Sequence, residues 1–248
     1  MKLASFATAL GQANRVGALL EAGNEPDVLV DLTAAYAAYL WDTGRDLAAA
    51  DIARSRIPGD MRELIGLGPQ RFESPRQALE YVRTRLANGG SIDELAGQGL
   101  VFSLSSIRFL PVVSRPGKVI CAGVNYATHA AEAQATNVEG PGHPIGFAKF
   151  PSVLAGHEAA IYHPGINHQL DYEGELALVI GSTTRRISRE GALDAVVGYP
   201  VFNDLSVRDV QFEEMKKGMP MLGKNFDACG PPGPYPWPRR GVPAPHAP

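Results

Sequence analysis

Cysteine is nearly absent from this chain: Cys121 and Cys229 are the two among 248 residues. Two thiols are too few for a disulfide framework, and their separation matches no metal-binding spacing. Each reads as a small core residue rather than a reactive thiol. Neither sign of charge dominates, with 23 Lys and Arg against 26 Asp and Glu. A formal balance of -3 gives no electrostatic footprint for nucleic acid or for an anionic membrane surface. No run approaches the ~18 apolar residues that span a bilayer. The short apolar start through Leu10 lacks a convincing cleavage site, reads as a first strand, and places the protein in the cytoplasm. Several catalytic signatures are missing as well. There is no G-x-S-x-G, no G-x-x-x-x-G-K-[ST] and no G-x-G-x-x-G, and His157-Glu158 lacks the second histidine of H-E-x-x-H. Internal repeats and heptads are absent too.

What remains is a chain long enough to bury a sizeable core. Val16–Leu20 and Asp27–Leu32 read as strands. Thr33 is placed to cap an alanine-rich helix running to about Asp42, with Gly44 as its stop. Ser74-Pro75 opens another helix that Gly89-Gly90 closes. Ser91-Ile92-Asp93-Glu94 has capping-box spacing for a short one. Val101–Phe109 resembles a strand, and Pro111 to Pro116 a linker. Further on, Lys118–Gly123 and Ile145–Phe150 read as strands. A helix is expected from Asn125-Tyr126 through Ala135. Another should be capped by Ser188 and end near Val197, with Gly198 as its stop. Tyr199–Leu205 reads as a last strand. From Pro231 onward 8 of 18 residues are proline, which reads as a disordered or polyproline-like tail.

The chemistry concentrates in Asp171-Tyr172-Glu173-Gly174-Glu175-Leu176, at the head of an apolar alternating run. A strand turns alternate side chains to one face, so Glu173 and Glu175 point the same way. Two like charges there call for a cation, and an oxygen-seeking dication is the economical one. Asp204, ending the next strand, would supply a third oxygen ligand. Taken singly, each of these acids also reads as a surface carboxylate. His129 and Glu132, three apart on the expected helix, share a face and suit a general base acting on water, or an ordinary surface pair. Lys224 would stabilise an enolate or oxyanion. Arg208 and Gln211 follow Asp204 on one helical face, where arginine can grip a substrate carboxylate.

Together these segments resemble the fumarylacetoacetate hydrolase family. Asn125-Tyr126-Ala127-Thr128-His129-Ala130-Ala131-Glu132 is similar to its N-Y-x-x-H-x-x-E segment. Phe147-Ala148-Lys149-Phe150 looks like the next conserved stretch, and Tyr172-Glu173-Gly174-Glu175-Leu176 like its Y-E-x-E-L strand. Gly198-Tyr199 through Asn203-Asp204 to Gln211 resembles G-Y-x-x-x-N-D-x-S-x-R-D-x-Q, and Gly223-Lys224-Asn225-Phe226-Asp227 its G-K-x-F-D. The resemblance implies an α+β fold, a β-rich roll with a small N-terminal α/β extension. It implies an extension over residues 1–70, a helical connector over 71–116, a catalytic domain over 117–234, and a tail over 235–248. It implies Mg²⁺, or Mn²⁺ or Ca²⁺, held by Glu173, Glu175 and Asp204, with a His129–Glu132 dyad and Lys224 in catalysis. Arg208, Gln211 and Lys149 would contact substrate.

The activity so implied is hydrolysis of a C–C bond in a β-diketo acid through an enolate. The alternatives are a 2-oxo acid decarboxylase or isomerase of the same superfamily, or a non-catalytic metal-binding remnant. A small 2-oxo or diketo acid is the expected partner, and a homodimer the expected assembly. One departure stands out. Where the family continues with further strands and a T-G-T-P-x-G-V loop, this chain passes into its proline-rich end. The expectation is therefore an incomplete roll, as from a shifted reading frame.

Overall fold

The computed structural model describes residues 1–8, 13–21, 23, 26–123, 145–165, 169–218, 221–235 and 237–238. Its first unit is a five-stranded antiparallel sheet: β1 (Leu3–Thr8), β2 (Arg15–Leu20), β3 (Val28–Asp31), β4 (Val101–Ser103) and β5 (Ile107–Phe109). Their order is β4-β3-β2-β1-β5. The stretch 101–109, expected as one strand, is therefore two strands on opposite edges of the sheet, joined by a turn at Leu104–Ser106. Flat, five strands would hold their outer members about 19 Å apart. The link from Ser103 to Ile107 reaches about 14 Å. The sheet must therefore curl until its edges approach each other. One side of it holds Ala4, Phe6 and Leu29, with Phe102 and Phe109 packed on them.

Helices cover the other side. α1 (Leu32–Gly44), α2 (Ala49–Arg56), α3 (Met61–Gly66), α4 (Glu73–Ala87) and α5 (Ile92–Gly97) follow one another between β3 and β4. Val16, Val30, Leu32, Ala35, Ile57, Leu64, Val82 and Leu95 form one core beneath them. The cap of α1 is Asp31 rather than Thr33. Asp31 Oδ1 accepts from Ala34 N at 3.0 Å and Oδ2 from Arg15 at 2.6 Å, while Thr33 Oγ1 donates to Ile57 O at 2.7 Å. Ser91 caps α5 as its spacing predicts, accepting from Glu94 N at 3.1 Å. β4 and β5 complete this sheet from beyond the boundary expected at residue 70.

The second half is a long antiparallel arm. β8 (Leu170–Asp171), β9 (Gly174–Leu176) and β10 (Val179–Ile180) pair with β13 (Ser206–Val207), β12 (Val201–Asn203) and β11 (Val196–Tyr199). One register carries through all three ladders, from Leu170 opposite Val207 to Val179 opposite Gly198, and shifts at Ile180. Backbone bonds bridge the gaps: Asp204 N to Glu173 O at 2.9 Å and Ala177 N to Pro200 O at 3.0 Å. The helix expected after Ser188 does not form. A 3-10 turn occupies Ala192–Ala195, and Val196 and Val197, β-branched, enter β11 instead. A second hairpin pairs β6 (Val119–Ala122) with β7 (Gly146–Lys149). α6 (Arg208–Lys216) follows β13.

Of the proline-rich end, Tyr235 packs edge-on against Phe109, ring centroids 5.5 Å apart. β14 (Trp237–Pro238) pairs with β11. No helix among the described residues is long and apolar enough to cross a membrane.

Candidate active site

Two hairpins and one turn build the site. In the arm, directly opposed residues share a face. Glu173 lies opposite Asp204, and Glu175 opposite Phe202. The three acids expected to converge therefore stand on one side of one ladder. Facing them, β6 and β7 present Cys121, opposite Phe147, and Lys149, opposite Val119. The turn at Leu222–Lys224 adds Lys224.

Asp204 is 1% exposed, and Lys149 and Lys224 2% each. Lys149 Nζ donates to Asp204 Oδ1. Lys224 Nζ donates to Asp204 Oδ2 at 2.9 Å and to Glu173 Oε2 at 2.8 Å, and it lies 5.4 Å from the Phe147 ring centroid. Charges taken this far from water persist only because each meets an opposite charge. Lys149, expected to meet substrate, is thus bound to a carboxylate with its side chain fully covered.

Arg208 is likewise committed. Its Nε donates to Asp171 Oδ2 at 2.8 Å, with a second nitrogen at 2.8 Å from the same oxygen. A third nitrogen donates to Glu173 Oε1 and, at 3.1 Å, to Gln211 Oε1. In place of a free fork for a substrate carboxylate, Arg208 clamps Asp171 and Glu173, with Gln211 steadying it. Burial works against its charge, but Glu173 and Asp171 outweigh that and hold its pKa above the ordinary arginine value.

The carboxylates are not equivalent. Burial alone would raise Glu173, yet Lys224 and Arg208 together hold its carboxyl below the usual range. For Glu175, burial and then the charges of Asp204 and Glu173 push the carboxyl up. The Glu175 carboxylate makes no hydrogen bond or ion pair with any described residue. One acid is therefore left short of positive charge beside a neutralised pair. Burial, followed by Asp204, pushes the Cys121 thiol up to about 12.

That imbalance tests whether a dication fits. One oxygen of Glu175, one of Asp204 and Cys121 Sγ all lie within 4.8 Å of one another. Oxygen ligands sit about 2.3–2.6 Å from Ca²⁺ and a thiolate about 2.3 Å from Zn²⁺. Donors so spaced can share an ion once it draws them in. The carboxylate oxygens already bonded to lysine keep further lone pairs. The donor set and the under-compensated charge both suit a divalent cation. Glu173, like Asp204, has both oxygens on cations, and it lies next to the trio so spaced.

Sequence reasoning missed the supports. Glu214 on α6 accepts from the backbone N–H groups of Met221 at 2.8 Å, Leu222 at 2.7 Å and Gly223 at 3.1 Å, fixing the turn that carries Lys224. A Cβ on Gly223 would lie 2.7 Å from Gln211 N, so α6 packs on this turn only because glycine is there. Asn203 Oδ1 accepts from Glu173 N at 3.2 Å, and Asn225 Oδ1 from Phe150 N at 2.7 Å. Alternation with the neighbouring acids could have flagged Asp171. Nothing local marks Glu214 or Cys121. His129 and Glu132 lie outside the described residues.

Comparison with known proteins places the chain in a class. The family model described as "Fumarylacetoacetate (FAA) hydrolase C-terminal" matches residues 118–247. The chain belongs to that family. An oxaloacetate tautomerase of Bacillus subtilis, YisK, is 37% identical over 180 residues, covering 72% of this chain and 56% of the relative. A mitochondrial oxaloacetate tautomerase of Xenopus laevis, fahd2, is 35% identical over 178 residues, covering 72% of this chain and 50% of its own. The chain thus spans about half the length of these curated relatives. A solved fumarylacetoacetate hydrolase from Exiguobacterium antarcticum superimposes with a TM-score of 0.60 at 26% identity, over 98% of this chain and 68% of that one. The α+β fold expected from the sequence is the fold of these neighbours.

Proposed function

We propose that this site interconverts the keto and enol forms of a 2-oxo acid of the oxaloacetate class. The observation that carries the reading is Lys224. Its buried ammonium bridges Glu173 and Asp204, next to the carboxylate of Glu175, which has no partner among the described residues. Enolisation moves a proton off the carbon beside the carbonyl. The C–H electron pair becomes the new C=C bond, and negative charge gathers on the carbonyl oxygen. A fixed cation at that oxygen stabilises the transition state more than the ground state. Lys224 supplies it, held in place by Glu173, Asp204 and the Glu214-bound turn. Glu175 and Asp204 would hold the dication, with Glu173 joining through its remaining lone pairs. When bound, that ion supplies Lewis-acid stabilisation of the enolate and chelation of the oxo-acid oxygens. The His129–Glu132 dyad implied by the resemblance would take the carbon proton and return it to oxygen.

The tautomerase names of two curated relatives support this reading over hydrolysis. The solved hydrolase favours a second one. There His129 would activate a water that adds to the distal carbonyl of a β-diketo acid. The C–C bond then breaks, and its electron pair forms the same enolate. Both readings use a small oxo acid as ligand, and a second copy of the chain as the assembly partner.

With Mn²⁺ present, the chain should speed decay of the enol absorbance of oxaloacetate beyond the buffer rate. Lys224→Met should remove about 10²–10³ of that rate, as for loss of an oxyanion donor. Pyruvate release from acetylpyruvate, without enol decay, would favour hydrolysis. Folded, Mn²⁺-bound protein that accelerates neither would overturn both readings.

A further inference from the structure

Asp171 stands at the rim of the charge cluster, tied to it through one side chain. It ends β8 opposite Ser206, two residues before Glu173 on the same face of the arm. Its side chain is 46% exposed, while those of Arg208 and Glu173 lie deeper. Oδ1 accepts from Tyr172 N at 2.9 Å, and Oδ2 takes both Nε and Nη2 of Arg208 at 2.8 Å. The backbone bond steadies the carboxylate, and the carboxylate holds one edge of the guanidinium. That group is planar and rigid, so fixing one edge aims the remaining nitrogen. The nitrogen so aimed, Nη1, donates to Glu173 Oε1. The other oxygen of Glu173 accepts from Lys224. Glu173 therefore divides its charge between two cations. Were Arg208 to swing away, Lys224 would answer that charge alone.

We infer that Asp171 is a positioning residue for enolate formation: it holds Arg208 against Glu173, and so leaves the Lys224 ammonium free to take up negative charge on the substrate oxygen. This role rests on the proposed function, in which Lys224 meets the enolate. Asp171 acts only through Arg208, and Arg208 through Glu173. Gln211, the other acceptor of Nη1 at 3.1 Å, is neutral and makes a weaker anchor. Without the Asp171 charge the guanidinium leaves its plane, and Glu173 draws Lys224 toward itself. Binding of the oxo acid changes little, because the enolate charge develops only in the transition state.

Asp171→Asn keeps the shape and removes the charge. The maximal rate of enol decay should fall about tenfold, the size of effect seen when the hydrogen-bond partner of an active-site ligand is removed. KM should stay within about twofold, as for an interaction made only in the transition state. Asp171→Glu, which restores the charge, should recover most of the rate. In an Arg208→Met background, Asp171→Asn should add no further loss, since its route is gone. Metal-free protein gives a second reading by NMR. The Arg208 Nε–H should exchange slowly in the wild type and as fast as a solvated arginine in Asp171→Asn. If that variant fails to fold, the wild-type signal decides alone, and fast exchange overturns the inference. An unchanged maximal rate, an equal loss in the Arg208→Met background, or a rise in KM in place of a slower rate would each overturn it as well. The last result would show Arg208 gripping the substrate instead. In all these cases an active wild type leaves the proposed function standing. A folded, Mn²⁺-bound wild type inert on oxaloacetate and acetylpyruvate would remove both.

Discussion

Between Leu3 and Val101 the interior is apolar, with Val16, Val30, Leu32, Ile57, Leu64 and Val82 all fully buried. Between Val119 and Gly230 the best-covered long side chains are Lys149 and Lys224, with Asp204 between them. The apolar cluster of that second half is small, built on Val153, Leu205 and Cys229. Several of its apolar side chains face outward instead: Ile120 is 72% exposed, Tyr172 75% and Val201 57%. Glu173, Glu175 and Asp204 share one face of the arm with Phe202, and Tyr172 and Val201 lie on the other; Ile120 faces outward from β6. One half is held by water-driven burial. The other is held by a backbone ladder and an ion cluster, which fixes geometry more than it adds stability.

The two halves should therefore fail differently, and Asp204→Ala should have the largest effect. It leaves two buried ammonium groups facing no carboxylate at that position, a loss of about 3–5 kcal/mol. Amide exchange should speed through residues 170–207 while β1 to β3 keep their protection. Equal loss of protection in both halves would show that the ion cluster supports the whole chain and erase the contrast. Leu64→Ala is the mirror experiment. Deleting a fully buried side chain beneath α3 should cost about 2–5 kcal/mol, with faster exchange in β1 to β4 and little change in the arm.

The same contrast explains what the sequence could reveal. Periodicity reports which face a side chain takes, so Glu173, Glu175 and the strands around them were legible. Capping chemistry is local, so Ser91 was legible too. Asp31 and Thr33 are both good caps two residues apart, and only the packing of Thr33 on Ile57 O separates them. α2 and α3 were missed because they are short, at eight and six residues, too few turns for a periodic pattern to show; α2 covers only Ala49 and Ala53, and α3 only Met61 and Leu64. The helix after Ser188 was misread because pairing with Val179 and Ile180 overrides a local capping signal. Arg208 looked free because its partners lie across the ladder, invisible to spacing. Cys121 was hidden for the same reason: spacing rules see neighbours along the chain, and its neighbours here come from β9 and from the residue after β12.

The mildest test is one of pH, through Glu214. Burial alone would raise its carboxyl, but the N–H groups of Met221, Leu222 and Gly223 outweigh that and hold it below the usual range. A depressed folded pKa means the stabilisation is complete above the unfolded value near 4.5 and is lost as pH falls through the folded one. At neutral pH the turn carrying Lys224 is therefore fully secured, and acid releases it. Glu214→Gln keeps the shape but gives up the charge-assisted part of the bonds. Exchange at Met221, Leu222 and Gly223 should then be faster at neutral pH, and should lose the acid-induced rise expected of the wild type below the ordinary glutamate range. Because Glu214 touches no other charge in the cluster, protection along 170–176 should hold in the variant. If it falls with the turn, the lysine and the carboxylate ladder are one cooperative unit, and the site is more tightly coupled to its support than the separate hairpins suggest.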